Sequence, residues 1–376
     1  MKTLAEHLAP SSGKKRILSC DGGGIKGALT LGYLKKIETI VREKENNDQL
    51  LLCDYFDLIG GTSTGSIIAA GLAIGLSVDE ITKLYLELGG EIFGKKRSWW
   101  KPWETWKYLK AEYDHSVLEK SLKKIFKNIL IGGPEIKTGL CIVAKRADTN
   151  STWPIINHPG GKFFDSDLGR NKDILLWQAI RASSAAPTYF VPQLIPIGNG
   201  EKGAFVDGGV SMANNPALTL LMVATLKGFP FGWQMGEDLL EIVSVGTGYS
   251  VYTKKTDEIE DNWVLNWAQS VPNMLMQDAS WQNQMVLQWM SNSPTADKID
   301  MEVNGLEGDY LGGKPLIKYL RYNFPFTVEA LNKLGFDKLF TEEDVENLIE
   351  MSNAENRFKL LEIGKRDSEK ILKSHF

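Results

Sequence analysis

Gly61-Thr62-Ser63-Thr64-Gly65 stands between two apolar runs, residues 55–59 and residues 66–73. The first run is short and reads as a buried strand. The second mixes small and apolar residues and reads as a buried helix. A serine with a glycine two places away on each side, at a strand-to-helix turn, fits the G-x-S-x-G nucleophile elbow. Such a turn is tight and leaves the serine hydroxyl exposed at the strand end. A side chain at Gly61 or Gly65 would collide with the neighbouring strand and helix. The helix also aims its free N–H groups and the positive end of its dipole at the serine, where they favour developing negative charge. The bare pentapeptide is common as a small-residue turn, and the elements on either side give it weight.

Toward the N-terminus the same order repeats. Residues 15–20 read as a strand, Asp21-Gly22-Gly23-Gly24-Ile25-Lys26-Gly27 as a turn, and residues 27–42 as a helix with Leu31, Leu34 and Ile37 at helical spacing. Strand, glycine turn and helix, twice over, predict an α/β layered fold. Consecutive glycines can turn backbone N–H groups into one concavity and bind an anion. In an acyl hydrolase that is the oxyanion site, expected at Gly22, Gly23, Gly24 and Ile25 with Lys26 beside them. Gly22, Gly24 and Gly27 also satisfy G-x-G-x-x-G, the dinucleotide fingerprint. That fingerprint needs an acidic residue at the end of the next strand, about 20 residues on. Here the distance falls in residues 43–48, which are polar and lack strand character, so the nucleotide-cofactor reading is disfavoured.

A serine nucleophile needs a base. The chain has 4 histidines, His7, His115, His158 and His375. Hydrolases with this elbow run Ser, then Asp or Glu, then His. After Asp207 only His375 follows, as the penultimate residue. A Ser-His-Asp triad is therefore poorly supported. An aspartate held against the hydroxyl can take the proton directly, provided burial raises its pKa toward neutrality. Asp207 is the best candidate. It follows the strand-like Phe205-Val206 and precedes Gly208-Gly209, although Asp-Gly-Gly is also an ordinary turn.

Asp-Gly-Gly-Gly-Ile-Lys-Gly at 21–27, Gly-Thr-Ser-Thr-Gly at 61–65 and Asp-Gly-Gly at 207–209 together resemble the patatin-like phospholipases in type, order and spacing. Arg181-Ala-Ser-Ser-Ala-Ala-Pro187, Asn214-Asn215-Pro216 and Ser244-Val-Gly-Thr-Gly248 are similar to the family's supporting segments. The resemblance covers about residues 14–250. It implies a three-layer fold with a mostly parallel central sheet flanked by helices. It further implies a Ser63–Asp207 dyad, an oxyanion site in the glycine loop, and metal-independent acyl-ester hydrolysis of phospholipids or related glycerolipids. No cofactor is expected. The family often has arginine where this chain has Lys26, and lysine lacks the bidentate fork that grips phosphate. Two other readings stay open: a patatin-fold regulatory binding protein with little turnover, and an effector phospholipase switched on by a small nucleotide through residues 251–376.

The remaining features bound the setting. With 376 residues, 43% hydrophobic and 24% charged, the chain is ordinary for a globular protein. Its net charge of -4 makes a nucleic-acid polymer a poor partner. Cys20, Cys53 and Cys141 sit singly in apolar segments and read as buried thiols in a reducing, cytoplasmic setting. Residues 14–250 are expected to form the catalytic domain. Residues 251–376 read as a mostly helical extension, either part of that domain or a small second one. Trp99, Trp100, Trp103 and Trp106, after Lys95-Lys96-Arg97, suit a lid or peripheral membrane contact. The tryptophans at 263–289 read as core.

Overall fold

The computed structural model describes residues 2–10, 13–93, 115–187, 189–198, 200–251, 256 and 264–376. The tryptophan-rich segment 98–106 and Trp263 lie outside the described residues. One eight-stranded sheet is built from β1 (Lys15–Cys20), β2 (Leu58–Thr62), β3 (Gly139–Arg146), β4 (Ser151–Ile156), β5 (Gln193–Gly198), β6 (Glu201–Asp207), β7 (Leu240–Val245) and β9 (Lys318–Tyr322). Two short strands, β8 (Tyr249–Ser250) and β10 (Pro325–Phe326), pair with each other. The main order is β5-β6-β3-β2-β1-β7-β9, with β4 paired to β3. The run β3-β2-β1-β7-β9 is parallel throughout, whereas β4, β5 and β6 are antiparallel to their neighbours. This is a mostly parallel α/β sheet with helices on both faces, as the family resemblance implied.

The described helices are α1 (Leu4–Leu8), α2 (Gly27–Lys44), α3 (Leu52–Tyr55), α4 (Thr64–Ala73), α5 (Val78–Phe93), α6 (His115–Phe126), α7 (Leu176–Ser183), α8 (Ala217–Thr225), α9 (Val264–Trp289), α10 (Val328–Lys333), α11 (Glu342–Ile349) and α12 (Arg357–Asp367). Successive strand residues feed opposite cores. Leu18, Ile59 and Ile142 pack with α2, α4, α5, α7 and α12, while Ile17, Leu58 and Val143 pack with α8 and the end of α9. Burial on both faces explains why these strands read as continuous apolar runs. Helix α12 crosses α2 at a pair of glycines. A Cβ on Gly364 would lie 2.2 Å from the Leu29 carbonyl oxygen, and one on Gly32 would lie 2.5 Å from the Gly364 carbonyl carbon.

Two expectations differ from the structure. The strand placed at residues 55–59 is Leu58–Thr62 instead, so it runs on through Gly60 and Gly61. Close approach requires glycine inside this strand. A Cβ on Gly60 would meet Leu220 at 2.4 Å, and one on Gly61 the Gly65 carbonyl oxygen at 2.1 Å. The described tail after residue 250 is mostly helical and also supplies strand β9 to the main sheet, in parallel register with β7. The described tryptophans of 263–289 are not core. Trp267 and Trp289 are exposed, and Trp281 is half-buried, edge-on to Tyr249.

Candidate active site

Strand register brings Ser63 and Asp207 together. β4 pairs with residues 141–146 of β3, so it fills one edge of that strand. β2 pairs with residues 139–143 and β6 with residues 144–146, so both must lie on the other edge. β2 runs parallel to β3 and ends with Thr62 opposite Val143. β6 runs antiparallel and ends with Asp207 opposite Ala144. The two strands therefore meet head to head along one edge, and the residues at their tips become neighbours. Ser63 Oγ donates to Asp207 Oδ2 at 2.6 Å.

The elbow is strained. Ser63 has φ 52° and ψ -123°, a region that costs a non-glycine residue about 1–3 kcal/mol. Its surroundings hold it there. The Ser63 N–H donates to Ser183 Oγ at 2.9 Å, Ser183 Oγ donates to the Val143 carbonyl at 2.6 Å, and Ser66 Oγ donates to the Ser63 carbonyl at 2.5 Å. Helix α4 starts at the next residue, Thr64. A Cβ on Gly65 would lie 2.2 Å from the Cys20 carbonyl oxygen, so β1 closes against the elbow only because this position is glycine. Ser63 is half-exposed, accessible to a ligand from outside.

Asp207 is buried. Burial pushes its carboxyl up to about 6, against the lowering pull of the Ser63 hydroxyl and the Gly209 N–H. That N–H reaches Asp207 Oδ1 at 2.7 Å and leaves Oδ2 for the serine. Gly208 sits where a Cβ would meet the Val143 carbonyl oxygen at 2.4 Å. A carboxylate of raised pKa, bonded to an exposed hydroxyl, can act as a general base near neutral pH. None of the described histidines touches this pair. His7 contacts Asp57, His375 contacts Tyr322, and His158 accepts from the Gly160 N–H. The side chain of His115 lies outside the described residues.

The glycine loop lies beside the serine. A Cβ on Gly22 would be 3.3 Å from Ser63 Cβ. Of the four residues expected to bind an oxyanion, two have their N–H groups engaged elsewhere. The Gly22 N–H donates to the Asn214 carbonyl at 3.0 Å and the Ile25 N–H to the Met351 carbonyl at 2.9 Å. The expectation narrows to Gly23 and Gly24, whose N–H groups have no partner among the described residues. Gly24 adopts φ +58°, and a Cβ on Gly23 would meet Thr247 Oγ1 at 2.2 Å. Lys26 is nine-tenths buried. It has no ion-pair partner among the described residues, and burial pushes its ammonium down to about 8.

Further contacts complete the site. Tyr85 on α5 bridges loop and elbow. Its hydroxyl donates to the Gly24 carbonyl at 2.5 Å and sits 2.5 Å from Thr64 Oγ1. Thr247 donates to the Gly22 carbonyl at 2.8 Å. Asp21, at the mouth of the loop, forms a buried bidentate pair with Arg321, at 2.9 and 2.6 Å. Only tertiary packing brings Tyr85 and Arg321 here. For Ser183 and Thr247 the signal was present in the segments 181–187 and 244–248, but without a role.

The fold and this site define an α/β protein with a serine at a nucleophile elbow, an aspartate against it, and a glycine loop alongside. A family model described as patatin-like phospholipase matches residues 18–221, more than half of the chain, and the chain belongs to that family. The family places it among lipid acyl hydrolases. Patatin-2-Kuras 3 of Solanum tuberosum is 29% identical over 279 residues, covering 69% of this chain and 67% of the relative. A cGAMP-activated phospholipase of Escherichia coli (strain TW11681) is 34% identical over 221 residues, covering 57% of each chain. The crystal structure of VipD from Legionella pneumophila is similar over 97% of this chain and 67% of that one, at 13% identity and a TM-score of 0.41.

Proposed function

We propose that the protein hydrolyses fatty-acyl ester bonds of phospholipids or related glycerolipids, as a phospholipase A or lysophospholipase, through Ser63 and Asp207. The bond from Ser63 Oγ to the buried Asp207 carboxylate carries the reading. Ser63 Oγ attacks the ester carbonyl carbon while Asp207 takes the hydroxyl proton. The oxyanion accepts from the Gly23 and Gly24 N–H groups. Collapse breaks the ester bond, and the leaving alkoxide takes the proton from Asp207. Water then attacks the acyl-serine, giving its proton to Asp207, and the fatty acid leaves as Ser63 is reprotonated. Nucleophile, base and anion site are all side chains or backbone of this protein, so no metal or cofactor enters these steps.

A lipid substrate requires contact with a lipid surface. Val210 and Met212, on the loop after Asp207, are exposed, as are Trp267, Val271, Met274 and Leu275 of α9. Asn283, further along α9, donates to the Met212 carbonyl at 2.6 Å, which fastens that helix to the loop. We assign peripheral membrane contact to this rim, and a cytoplasmic setting to the protein. No helix among the described residues is long and apolar enough to cross a membrane. Residues 251–376 we take as integral to the catalytic unit.

Fatty-acid release from phospholipid vesicles and from a soluble aryl ester, with chelator present, tests the reading. Ser63→Ala is expected to lose at least about a thousandfold and Asp207→Asn to lose most activity. Release that survives Ser63→Ala overturns the mechanism. A second reading, activation by a small nucleotide, is favoured by the E. coli relative's name. It predicts a silent, folded wild type that releases fatty acid when a cyclic dinucleotide is added.

A further inference from the structure

Two backbone N–H groups can hold an oxyanion only if the loop that carries them keeps one conformation. Misplacement by about 1 Å costs on the order of a hundredfold in rate. The Asp21–Gly27 loop lacks side chains that would stiffen it from within at Gly22, Gly23 and Gly24. Its restraints come from elsewhere in the chain. Asn214, Tyr85, Thr247, Met351 and Arg321 each hold one point of it. Three of these five lie beyond residue 221, outside the stretch that matches the family model.

We infer that Arg321 is a positioning residue that fixes the aim of the Gly23 and Gly24 donors through its buried bidentate pair with Asp21. This inference rests on the proposed ester hydrolysis. Strand register shows why Arg321 can do this. Ser19, Ser244 and Arg321 are aligned across β1, β7 and β9. From that row the guanidinium reaches past the end of β1 to Asp21, the last residue before the glycines. Nη1 takes Asp21 Oδ1 at 2.9 Å and Ser244 Oγ at 2.7 Å, and Nη2 takes Asp21 Oδ2 at 2.6 Å. Both partners are nearly fully buried. The fork fixes the direction of the Asp21 side chain, and hence where the chain enters the loop. A point charge would neutralise Asp21 but would not orient it.

Full-length wild type, Ser63→Ala, Arg321→Lys and the double variant Asp21→Asn/Arg321→Met separate positioning from stability. Kinetics on a soluble aryl ester, the pH profile and the thermal midpoint are read together. Arg321→Lys keeps the charge and loses the fork. Its kcat is expected to fall about tenfold or more, with KM within about twofold and the acid limb of the profile unmoved. The double variant removes the charge that a single substitution would strand. Its midpoint is expected to return toward wild type while kcat stays low. Wild-type kcat in folded Arg321→Lys, or a double variant that regains rate together with stability, would reduce Arg321 to a structural role and overturn the inference. Should Arg321→Lys not fold, the double variant decides alone. Ester hydrolysis that persists in Ser63→Ala overturns the underlying reading instead, and is seen before any Arg321 variant is considered.

Discussion

The dyad junction and the clamp around the glycine loop sit side by side but are built differently. At the junction, two strand tips meet on one edge of β3, and adjacent residues of that strand, Val143 and Ala144, set the spacing. The clamp gathers single contacts from distant parts of the chain, with Asp21 and Arg321 300 residues apart. In the proposed mechanism the junction supplies the reacting groups, and the clamp supplies the aim of the groups that receive charge. On that reading the contrast teaches that reactivity follows from sheet topology, whereas precision follows mainly from later segments, among them β9 at the far edge of the sheet.

The largest effect that would break this contrast falls where clamp and loop touch. Gly24 has φ +58°, and a Cβ there would lie 2.4 Å from the Met351 carbonyl oxygen. Gly24→Ala is expected to lower kcat about a hundredfold in folded protein while the pH profile keeps its shape. A shifted acid limb would mean that loop and junction are not separate devices.

Acid should act on the junction alone. With Asp207 raised to about 6, its base form disappears as pH falls through that value. The expected log(kcat/KM) on a soluble ester falls about one unit per pH unit below 6. A flat profile down to pH 4.5 would remove Asp207 as the base.

The apolar rim gives a smaller and more selective effect. Met212→Ser with Leu275→Ser is expected to lower vesicle hydrolysis about thirtyfold, since each exposed apolar side chain contributes on the order of 1 kcal/mol to a lipid contact. Rates on the soluble ester should not change. Equal loss on both substrates would place these residues in the site rather than at the membrane.

The last effect is on stability, and its sign is the informative part. A carboxyl whose pKa is higher in the folded than in the unfolded chain favours folding below the unfolded value, about 3.8. That contribution disappears as pH rises through about 6. Asp207→Asn removes the ionisable group, so it should be more stable than wild type at pH 7–8, by at most about 3 kcal/mol. Denaturant midpoints should converge by pH 4. A less stable variant at pH 8 would mean that Asp207 stabilises the fold as well as serving the reaction.

How much of this was legible follows from the range of each interaction. The elbow was, because its requirement is local: Gly61 and Gly65 contact each other across one turn, and Gly65 lies against the strand that carries the neighbouring motif. Asp207 was legible as a residue type at a strand end, but the antiparallel β6 that delivers it was not. The extent of β2 was misread because the need for glycine at position 60 comes from Leu220, far along the chain, and not from local conformation. Gly22 and Ile25 could not be separated from Gly23 and Gly24, since Asn214 and Met351 decide which N–H groups remain free. Tyr85 has no neighbouring motif, and nothing local gives Arg321 a role, even though Tyr319-Leu-Arg-Tyr322 is similar to a family segment; only the packing of α5 and β9 gives them meaning.

The head-to-head meeting of β2 and β6 has a consequence for how this chain can change length. Ser63 and Asp207 are 144 residues apart, yet their separation in space depends on two adjacent positions of β3. Excursions of the chain between β3 and β6 leave that spacing untouched, so the intervening loops are free to lengthen, shorten or be cut. A circularly permuted chain opened in the turn between β3 and β4 would keep the two reacting groups in register, because the hydrogen-bonded edge measures their distance and the connecting polypeptide does not.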